Sequence, residues 1–180
     1  MNRIARFEKV SFDQFKKDWL DTFSTKYIDW DEAELDRAIH DIYNSINLPK
    51  RSTSGSAGYD FFSPSNLKIL ANSSIKIPTG IKCYMEEGWV LQCYPRSSYG
   101  FKYGASLANT VGIVDSDYVD NTNNEGHIFI KIVNDSILTK IIEINTGDAF
   151  CQGILTPFGI TYDDDATETR VGGIGSTNKK

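Results

Sequence analysis

The chain has 180 residues and a formal net charge of -5, which excludes nonspecific nucleic-acid binding driven by overall charge. Its cysteines, Cys83, Cys93 and Cys151, lack C-x-x-C spacing, and its histidines are His40 and His127, so we expect no zinc site. No long apolar run follows the N-terminus. We therefore expect a cytoplasmic protein without a signal peptide or a membrane span.

The N-terminal part of the chain has helical periodicity. Residues 1–10 are expected to contain a first β-strand, and residues 11–46 a helical insertion. Ser11 and Gln14 have the spacing of a capping box at the start of a helix. Two amphipathic helices are predicted by apolar residues at spacings of three and four, which are Phe12, Phe15, Trp19 and Phe23, then Leu35, Ala38, Ile39, Ile42 and Ile46. Such stripes are more often packing faces than ligand grooves.

From residue 47 the period changes to about two. Apolar and polar residues alternate through 75–93 and 128–132, and turns such as Pro-Thr-Gly at 78–80 separate the runs. Many short strands with Gly, Pro and Asn turns favour an all-β sandwich or jelly roll over residues 47–162. Residues 163–180 are polar and glycine-rich, and we expect them to form a flexible C-terminal arm.

The segment Gly-Ile-Val-Asp-Ser-Asp-Tyr at 112–118 is the first candidate site. A tight hairpin here would expose backbone groups near Gly112 to the edge of a base, and Asn109 would add a side-chain amide. Tyr118 offers a flat face to a sugar, against which a 2′-hydroxyl would be buried without a partner. Asp115, as an ionised carboxylate, can accept a proton from water poised at a phosphate. The alternative interpretation is ordinary turn chemistry.

Groups that suit phosphate oxygens occur in two other parts of the predicted barrel. Where a strand enters a turn, an arginine and two hydroxyls follow one another as Arg96, Ser97 and Ser98. Asp60 could hold water around a Mg²⁺ ion that is bound mainly by phosphates, and Gln152 could hydrogen-bond a phosphate. Taken singly, each of these residues also suits a solvated turn or the edge of the core.

The C-terminal arm is a further phosphate candidate. Its glycines allow the backbone to approach a ligand closely, and hydroxyls follow them. An arm of this kind can close over a substrate and exclude water. The residues in question are Arg170, Ser176 and Thr177. The alternative is a disordered tail.

Together, five segments resemble in order the motifs of the trimeric all-β dUTP diphosphatases, or dUTPases. They are Ala-Gly-Tyr-Asp at 57–60, Pro-Arg-Ser-Ser at 95–98, the 112–118 segment, Gly-Asp-Ala-Phe-Cys-Gln at 147–152 and Gly-Gly-Ile-Gly-Ser-Thr at 172–177. The resemblance covers about residues 48–178. It implies a jelly-roll β-barrel, a homotrimer whose three subunits share three sites, and Mg²⁺-dependent hydrolysis of dUTP to dUMP and pyrophosphate.

The resemblance also implies a role for each matched residue. Asp115 would activate the water that attacks the α-phosphate, and Tyr118 would pack on the deoxyribose. Asn109 and the backbone near Gly112 would read uracil, and Asp60 would help to place the metal through water. The phosphates would be held by Arg96, Ser97, Ser98 and Gln152, and the arm would grip the terminal phosphates with Arg170, Ser176 and Thr177.

This chain departs from the family pattern in several places. Ile174 stands where the arm usually carries a phenylalanine that covers the uracil, so Ile174 can cover the base but cannot stack on it. Arg170 is one residue closer to the glycine pair than in the commonest pattern. Ser98 stands where glycine is usual. The loop after Tyr118 is lengthened by residues 119–124, as in some Gram-positive bacterial and phage members.

Two other functions are considered beside hydrolysis of dUTP. dCTP deaminases share the fold that the resemblance implies. The strand after 125–128, however, has Lys131 where their catalytic glutamate is expected, and a lysine cannot replace that carboxylate. Some phage members of the family are regulators that bind a host repressor through inserted segments. The helical insertion makes a regulatory protein partner a second hypothesis, in addition to enzymatic activity.

Overall fold

The computed structural model of the chain describes residues 2–137, 139–168, 170 and 172. Strands dominate this part of the chain, and three α-helices accompany them. In chain order the elements are β1 (Ala5–Lys9), α1 (Phe12–Phe23), α2 (Glu32–Ser45), β2 (Tyr59–Phe62), β3 (Leu67–Ile69), β4 (Ser73–Pro78), β5 (Ile81–Met85), β6 (Trp89–Pro95), α3 (Ser97–Tyr103), β7 (Ala105–Leu107), β8 (Gly112–Asp115), β9 (Phe129–Asn134), β10 (Ile142–Ile144) and β11 (Ala149–Pro157).

The strands form antiparallel sheets, and sequence neighbours are often separated in space. The largest sheet has the order β2-β11-β6-β8, and a second has the order β4-β9-β7. β1 pairs with β5, and β3 pairs with β10. This mainly β, jelly-roll-like arrangement confirms the predicted fold class. Because β6 lies between β11 and β8, it connects the two groups of candidate site residues described below.

The two N-terminal helices pack their apolar stripes against the strands. Phe15 and Trp19 of α1 and Ile39 of α2 are almost completely buried in the main hydrophobic core. The Trp19 indole N–H donates to the hydroxyl of Tyr27 over 2.9 Å, which satisfies a buried polar group. These contacts agree with the prediction that the stripes are packing faces. No helix in the described ranges is both long and apolar enough to cross a bilayer.

The turn between β4 and β5 lies directly beneath the helices. Gly80 has a φ of +73°, and a Cβ there would lie 2.3 Å from Ile46 Cδ1 and 3.3 Å from Phe15 Cδ2. The left-handed backbone favours glycine here, and any side chain would also have to displace the Ile46 methyl group. The Gly80 backbone N–H donates to the buried His127 ring, which lies close to the candidate site.

At the start of α1, one of the two hydrogen bonds of the predicted capping box is present. The Ser11 hydroxyl accepts the Gln14 backbone N–H at 3.1 Å, as predicted for an N-cap. The prediction of the reciprocal bond, from the Ser11 N–H to the Gln14 side chain, is wrong. The Gln14 side chain donates to Asp18 within the helix instead. The Ser11 N–H donates instead to Glu125, a residue 114 positions later, at 2.8 Å. A long-range carboxylate has replaced the local partner.

The cysteines belong to the interior. Cys83, Cys93 and Cys151 are all buried as free thiols. Burial raises the pKa of the Cys83 thiol to about 12. Burial also raises the pKa of the Cys151 thiol, and contact with Cys93 adds to that effect. Cys83 and Cys93 therefore act as small core residues, as their alternating pattern predicted.

Candidate active site

A cavity of about 210 Å³ opens beside β8. Its walls come from the end of β6, the segment 109–118 and the start of β9. Five candidates from the sequence line this cavity: Asn109, Gly112, Asp115, Tyr118 and Arg170. Apolar strand residues, among them Ile128 and Ile130, complete the lining. The cavity thus combines a mostly apolar surface with few polar groups, which is typical of a small-molecule site.

The 112–118 segment differs from the hairpin that was expected. Gly112–Asp115 forms β8, which pairs with β6 and places Gly112 opposite Cys93. A short 3₁₀ turn, Ser116–Tyr118, then follows the strand. The hairpin prediction is wrong because β6 supplies the backbone partners of β8. The actual turn lies just before β8, where Thr110 has a φ of 63°.

Asp115 lies where the strand ends, and Arg170 lies against it. The Arg170 Nη2 is 2.5 Å from Asp115 Oδ2, and its Nε is 2.9 Å from Asp117 Oδ1. The guanidinium also lies over the Tyr118 ring, with Cζ 5.8 Å from the centroid. The Asp115 side chain remains about half exposed. One arginine of the C-terminal segment therefore pairs with two carboxylates at the wall of the cavity.

Tyr118 is held more firmly than an open aromatic face would be. Its residue exposure is 8%, and its hydroxyl donates to the His127 carbonyl over 3.0 Å. Asn124 Nδ2 donates to the same hydroxyl at 2.8 Å. Burial raises the pKa of the Tyr118 phenol, although the Asn124 bond acts in the opposite direction. The ring is fixed at its far end and contributes its body to the cavity wall.

The loop after Tyr118 supplies the partners that the sequence did not reveal. Asn121 donates to the Tyr118 carbonyl at 2.8 Å and to Asn124 Oδ1 at 2.7 Å. Gly126 has a φ of +80°, and a Cβ there would lie 2.6 Å from Val119 Cα, so the loop closes tightly on itself. The three asparagines at positions 121, 123 and 124 were the available signal for such a structured turn.

Other candidates form a second group, around the end of β6. Asp60 of β2 lies opposite Gln152 of β11. Arg96 Nε is 3.6 Å from Asp60 Oδ1, and the Ser52 hydroxyl donates to Asp60 Oδ2 at 2.7 Å. Gln152 Nε2 donates to the Pro95 carbonyl at 3.4 Å.

The serine pair of this group lies in a helix rather than an irregular turn. Ser97 and Ser98 begin α3, which the sequence reasoning missed, and Arg96 is its N-cap residue. Gly104 ends this helix with a left-handed backbone. An arginine, two hydroxyls and the first backbone N–H groups of α3 are therefore presented together.

The two groups do not share the described cavity within one chain. Arg96, Asp60 and Gln152 do not line the described cavity, whereas Asp115 and Tyr118 do. Of the arm, only Arg170 and Gly172 are described after residue 168. The predictions for Ile174, Ser176 and Thr177 lie outside the described residues.

Fold and cavity define a mainly β protein with a candidate small-molecule site in which a carboxylate lies beside an aromatic ring. A family model for dUTPase matches residues 44–178. The deoxyuridine 5′-triphosphate nucleotidohydrolase of Lactococcus lactis is 42% identical over 134 residues, which are 73% of this chain and 88% of that protein. The chain belongs to the dUTPase family.

Solved structures agree with this membership. The dUTPase from Streptococcus mutans is 39% identical, with a TM-score of 0.59 over 66% of this chain and 90% of that chain. A mutant dUTPase from phage phi11 of S. aureus, described with a structural Mg(II) ion, has a TM-score of 0.56 at 22% identity. That second likeness covers 69% of this chain and 92% of the phage chain, and it bears on the fold alone.

Proposed function

We propose that this chain hydrolyses dUTP to dUMP and pyrophosphate, with water attacking the α-phosphate. One observation carries the proposal: in a member of the dUTPase family, Asp115, Tyr118, Asn109 and Gly112 line one cavity. The sequence selected these residues as base, sugar face and uracil contacts. Since the substrate belongs to the nucleotide pool, the proposed place of action is the cytoplasm.

The cavity suits a deoxynucleoside. Asn109 and the backbone of β8 near Gly112 offer hydrogen-bonding groups to the edge of uracil. The Tyr118 ring, buried on one side and fixed by its hydroxyl, packs on the deoxyribose. A ribose would press its 2′-hydroxyl against this ring, where the hydroxyl would find no partner. The same wall therefore selects the base and excludes ribonucleotides.

Asp115 acts as the general base in this proposal. Its carboxylate is partly open to solvent, and it lies at the end of the strand that reads the base. It holds a water molecule and accepts the water's proton as the oxygen attacks the α-phosphorus and the bond to the pyrophosphate oxygen breaks. Positioning and neutralisation of phosphate charge supply most of the remaining rate enhancement.

The phosphates need a second set of groups, which we assign to a neighbouring subunit. Arg96, Ser97, Ser98 and Gln152 are gathered around β6 and α3 but lie outside the cavity. In a homotrimer, these phosphate-binding residues of one subunit would lie beside the cavity of the next subunit. Phe101 on α3 and Ile137 are 94% and 95% exposed, and we expect a neighbouring subunit to cover them in such an assembly.

Mg²⁺ fits the phosphate side of this site. Asp60 offers one carboxylate, buried and partly engaged by Ser52. Within the described ranges, no cluster of three or more His, Cys, Asp or Glu could hold a metal by itself. One carboxylate together with substrate phosphates and water is an oxygen set that Mg²⁺ accepts. When bound, the ion would neutralise phosphate charge, and Asp60 would orient its water ligands.

Arg170 has a proposed role that follows from its present contacts. It pairs with Asp115 and Asp117. In the assembled enzyme it would exchange these carboxylates for the terminal phosphates of dUTP, which are stronger anionic partners. That exchange would also release Asp115 to act on water. Ser176, Thr177 and Ile174 would approach the nucleotide with the same arm.

A substrate panel tests the proposed activity. Release of pyrophosphate should be measured with dUTP, dCTP, dTTP and UTP, with Mg²⁺ and with excess chelator. We expect turnover confined to dUTP, with a loss of at least about tenfold when the metal is chelated. Turnover of dCTP with release of ammonia would support a deaminase instead. The exposed Lys131 on β9 does not provide a carboxylate for that reaction.

A regulatory protein partner is the second candidate. The helices use their apolar stripes for the core, but the turn between them leaves Ile28 76% and Trp30 46% exposed. We propose this turn as the place where such a partner would bind. Replacing Ile28 and Trp30 by serine should leave hydrolysis of dUTP unchanged, and a partner that still binds this double variant would refute the assignment.

A further inference from the structure

The inserted helix α1 holds the loop that fixes Tyr118. Glu125 receives two hydrogen bonds from the start of the helix, one from the Ser11 N–H at 2.8 Å and one from the Ser11 hydroxyl at 2.6 Å. About two helical turns further on, Asp18 Oδ2 is 2.6 Å from His127 Nδ1. The segment 125–127 is thus attached to α1 at both of its ends.

His127 lies at the centre of this connection. Its side chain is completely buried between Phe15 of α1 and Phe129 of β9, with ring centroids 6.2 and 4.5 Å away. The Gly80 N–H donates to Nε2 at 2.7 Å, so the proton of the neutral ring is on Nδ1 and is donated to Asp18. Burial lowers the pKa of His127, while Asp18 opposes that shift.

The same residue contacts Tyr118 through its backbone. The His127 carbonyl accepts the Tyr118 hydroxyl at 3.0 Å, and the adjoining Asn124 donates to that hydroxyl. A continuous chain of contacts therefore runs from Asp18 through His127 to the ring on the cavity wall. Each member is buried or partly buried, so solvent does not readily replace a lost partner.

We propose that Asp18 and Glu125 are positioning residues through which the helical insertion sets the discrimination between deoxyribose and ribose. This inference rests on the proposed function, because it requires Tyr118 to face the sugar. A ring with both hydroxyl partners in place cannot retreat, and the 2′-hydroxyl of UTP meets a fixed surface. When the loop loses its attachment to α1, Tyr118 can move away from the sugar, so contact with dUTP weakens and UTP is admitted more easily.

The test is a comparison of kcat and KM for dUTP and UTP in three variants. Asp18→Leu keeps the branched shape of the side chain but removes the acceptor for His127 Nδ1–H. We expect the ratio of kcat/KM for dUTP over UTP to fall about tenfold, mainly through KM, with kcat for dUTP changed less than about threefold. Asp18→Asn, whose amide oxygen still accepts the bond, should stay within about threefold of the wild type.

Asp21→Leu is the matched control. Asp21 is on the same helix and pairs with Lys76 of β4 at 2.9 Å, but it does not contact the 119–127 loop in the described contacts. It should keep the wild-type ratio. A ratio in Asp18→Leu equal to that of Asp21→Leu would overturn the inference, and so would an equal loss in Asp18→Asn. A wild type that does not hydrolyse dUTP would instead refute the proposed function.

Circular dichroism and thermal unfolding decide whether each variant is folded at the assay temperature. If Asp18→Leu is unfolded, Glu125→Ala takes its place, because it removes the other attachment at the start of α1 and leaves the buried His127 pair intact. The same loss of discrimination is expected, and an unchanged ratio in folded Glu125→Ala would contradict the inference.

Discussion

The Asp115→Asn variant is expected to lose about 10³-fold in kcat for dUTP while its Kd for the nucleotide changes less than about threefold. The amide keeps the shape of the carboxylate at the end of β8, but it cannot accept a proton from the attacking water. The substitution also weakens the contact of residue 115 with Arg170. The loss of the base and the loss of this ion pair must therefore be distinguished. Single-turnover rates and equilibrium binding of a non-hydrolysable dUTP analogue give the two quantities.

Asp117→Asn is the matched control for that experiment. Asp117 pairs with the same arginine at 2.9 Å and is similarly exposed, but it is not the proposed base. Its variant should retain kcat within about threefold, because it loses only one partly exposed ion pair. The assignment of the base would be wrong if both variants lost the same activity, or if Asp115→Asn lost binding and rate equally.

Co-assembly of two impaired variants is expected to recover activity. Arg96→Ala should lower kcat/KM about 100-fold, since a charge-assisted bond to phosphate is lost. In a trimer with shared sites, Asp115→Asn subunits still supply Arg96, and Arg96→Ala subunits still supply Asp115. Each trimer that contains both variants therefore has one intact site out of three, so about a third of the sites are restored once the homotrimers are removed. Co-expression with two different tags and purification through both yields the mixed species for assay.

The alternative outcome has an equally clear form. If Arg96 and Asp115 acted in the same chain, no mixed assembly would contain an intact site, and activity would stay at the level of the parent variants. Light scattering on the same sample gives the mass of the assembly. A fully active monomer would also contradict the shared-site proposal, whatever the mixture does.

Local sequence patterns predicted the helices and strands better than the long-range contacts that these elements make. The spacing of Phe15 and Trp19 indicated a buried helix face, and the alternation around Cys83 indicated a strand with a buried cysteine; both features are present. Such patterns depend on the period of one element against one core. The Ser11 cap shows the limit, because the local bond to its hydroxyl was predictable but the bond from Ser11 N–H to Glu125 was not.

For the site, the residue types were easier to select than their surroundings. Asp115, Tyr118, Asn109 and Gly112 were chosen from a short segment and lie together in one wall. The sequence did not predict that Tyr118 would be buried at its hydroxyl, since His127 and Asn124 reach it through a loop whose fold depends on α1. Nor did it predict that Arg170 would pair with Asp115, because that contact joins residues 55 positions apart.

The central claim is that Asp115-activated water attacks the α-phosphate of dUTP. The direct test is to run the reaction with Mg²⁺ in water enriched in the heavy oxygen isotope and to determine the products by mass spectrometry. The account predicts one heavy oxygen in dUMP and none in pyrophosphate. Label in the pyrophosphate, or in inorganic phosphate released beside dUDP, would contradict it.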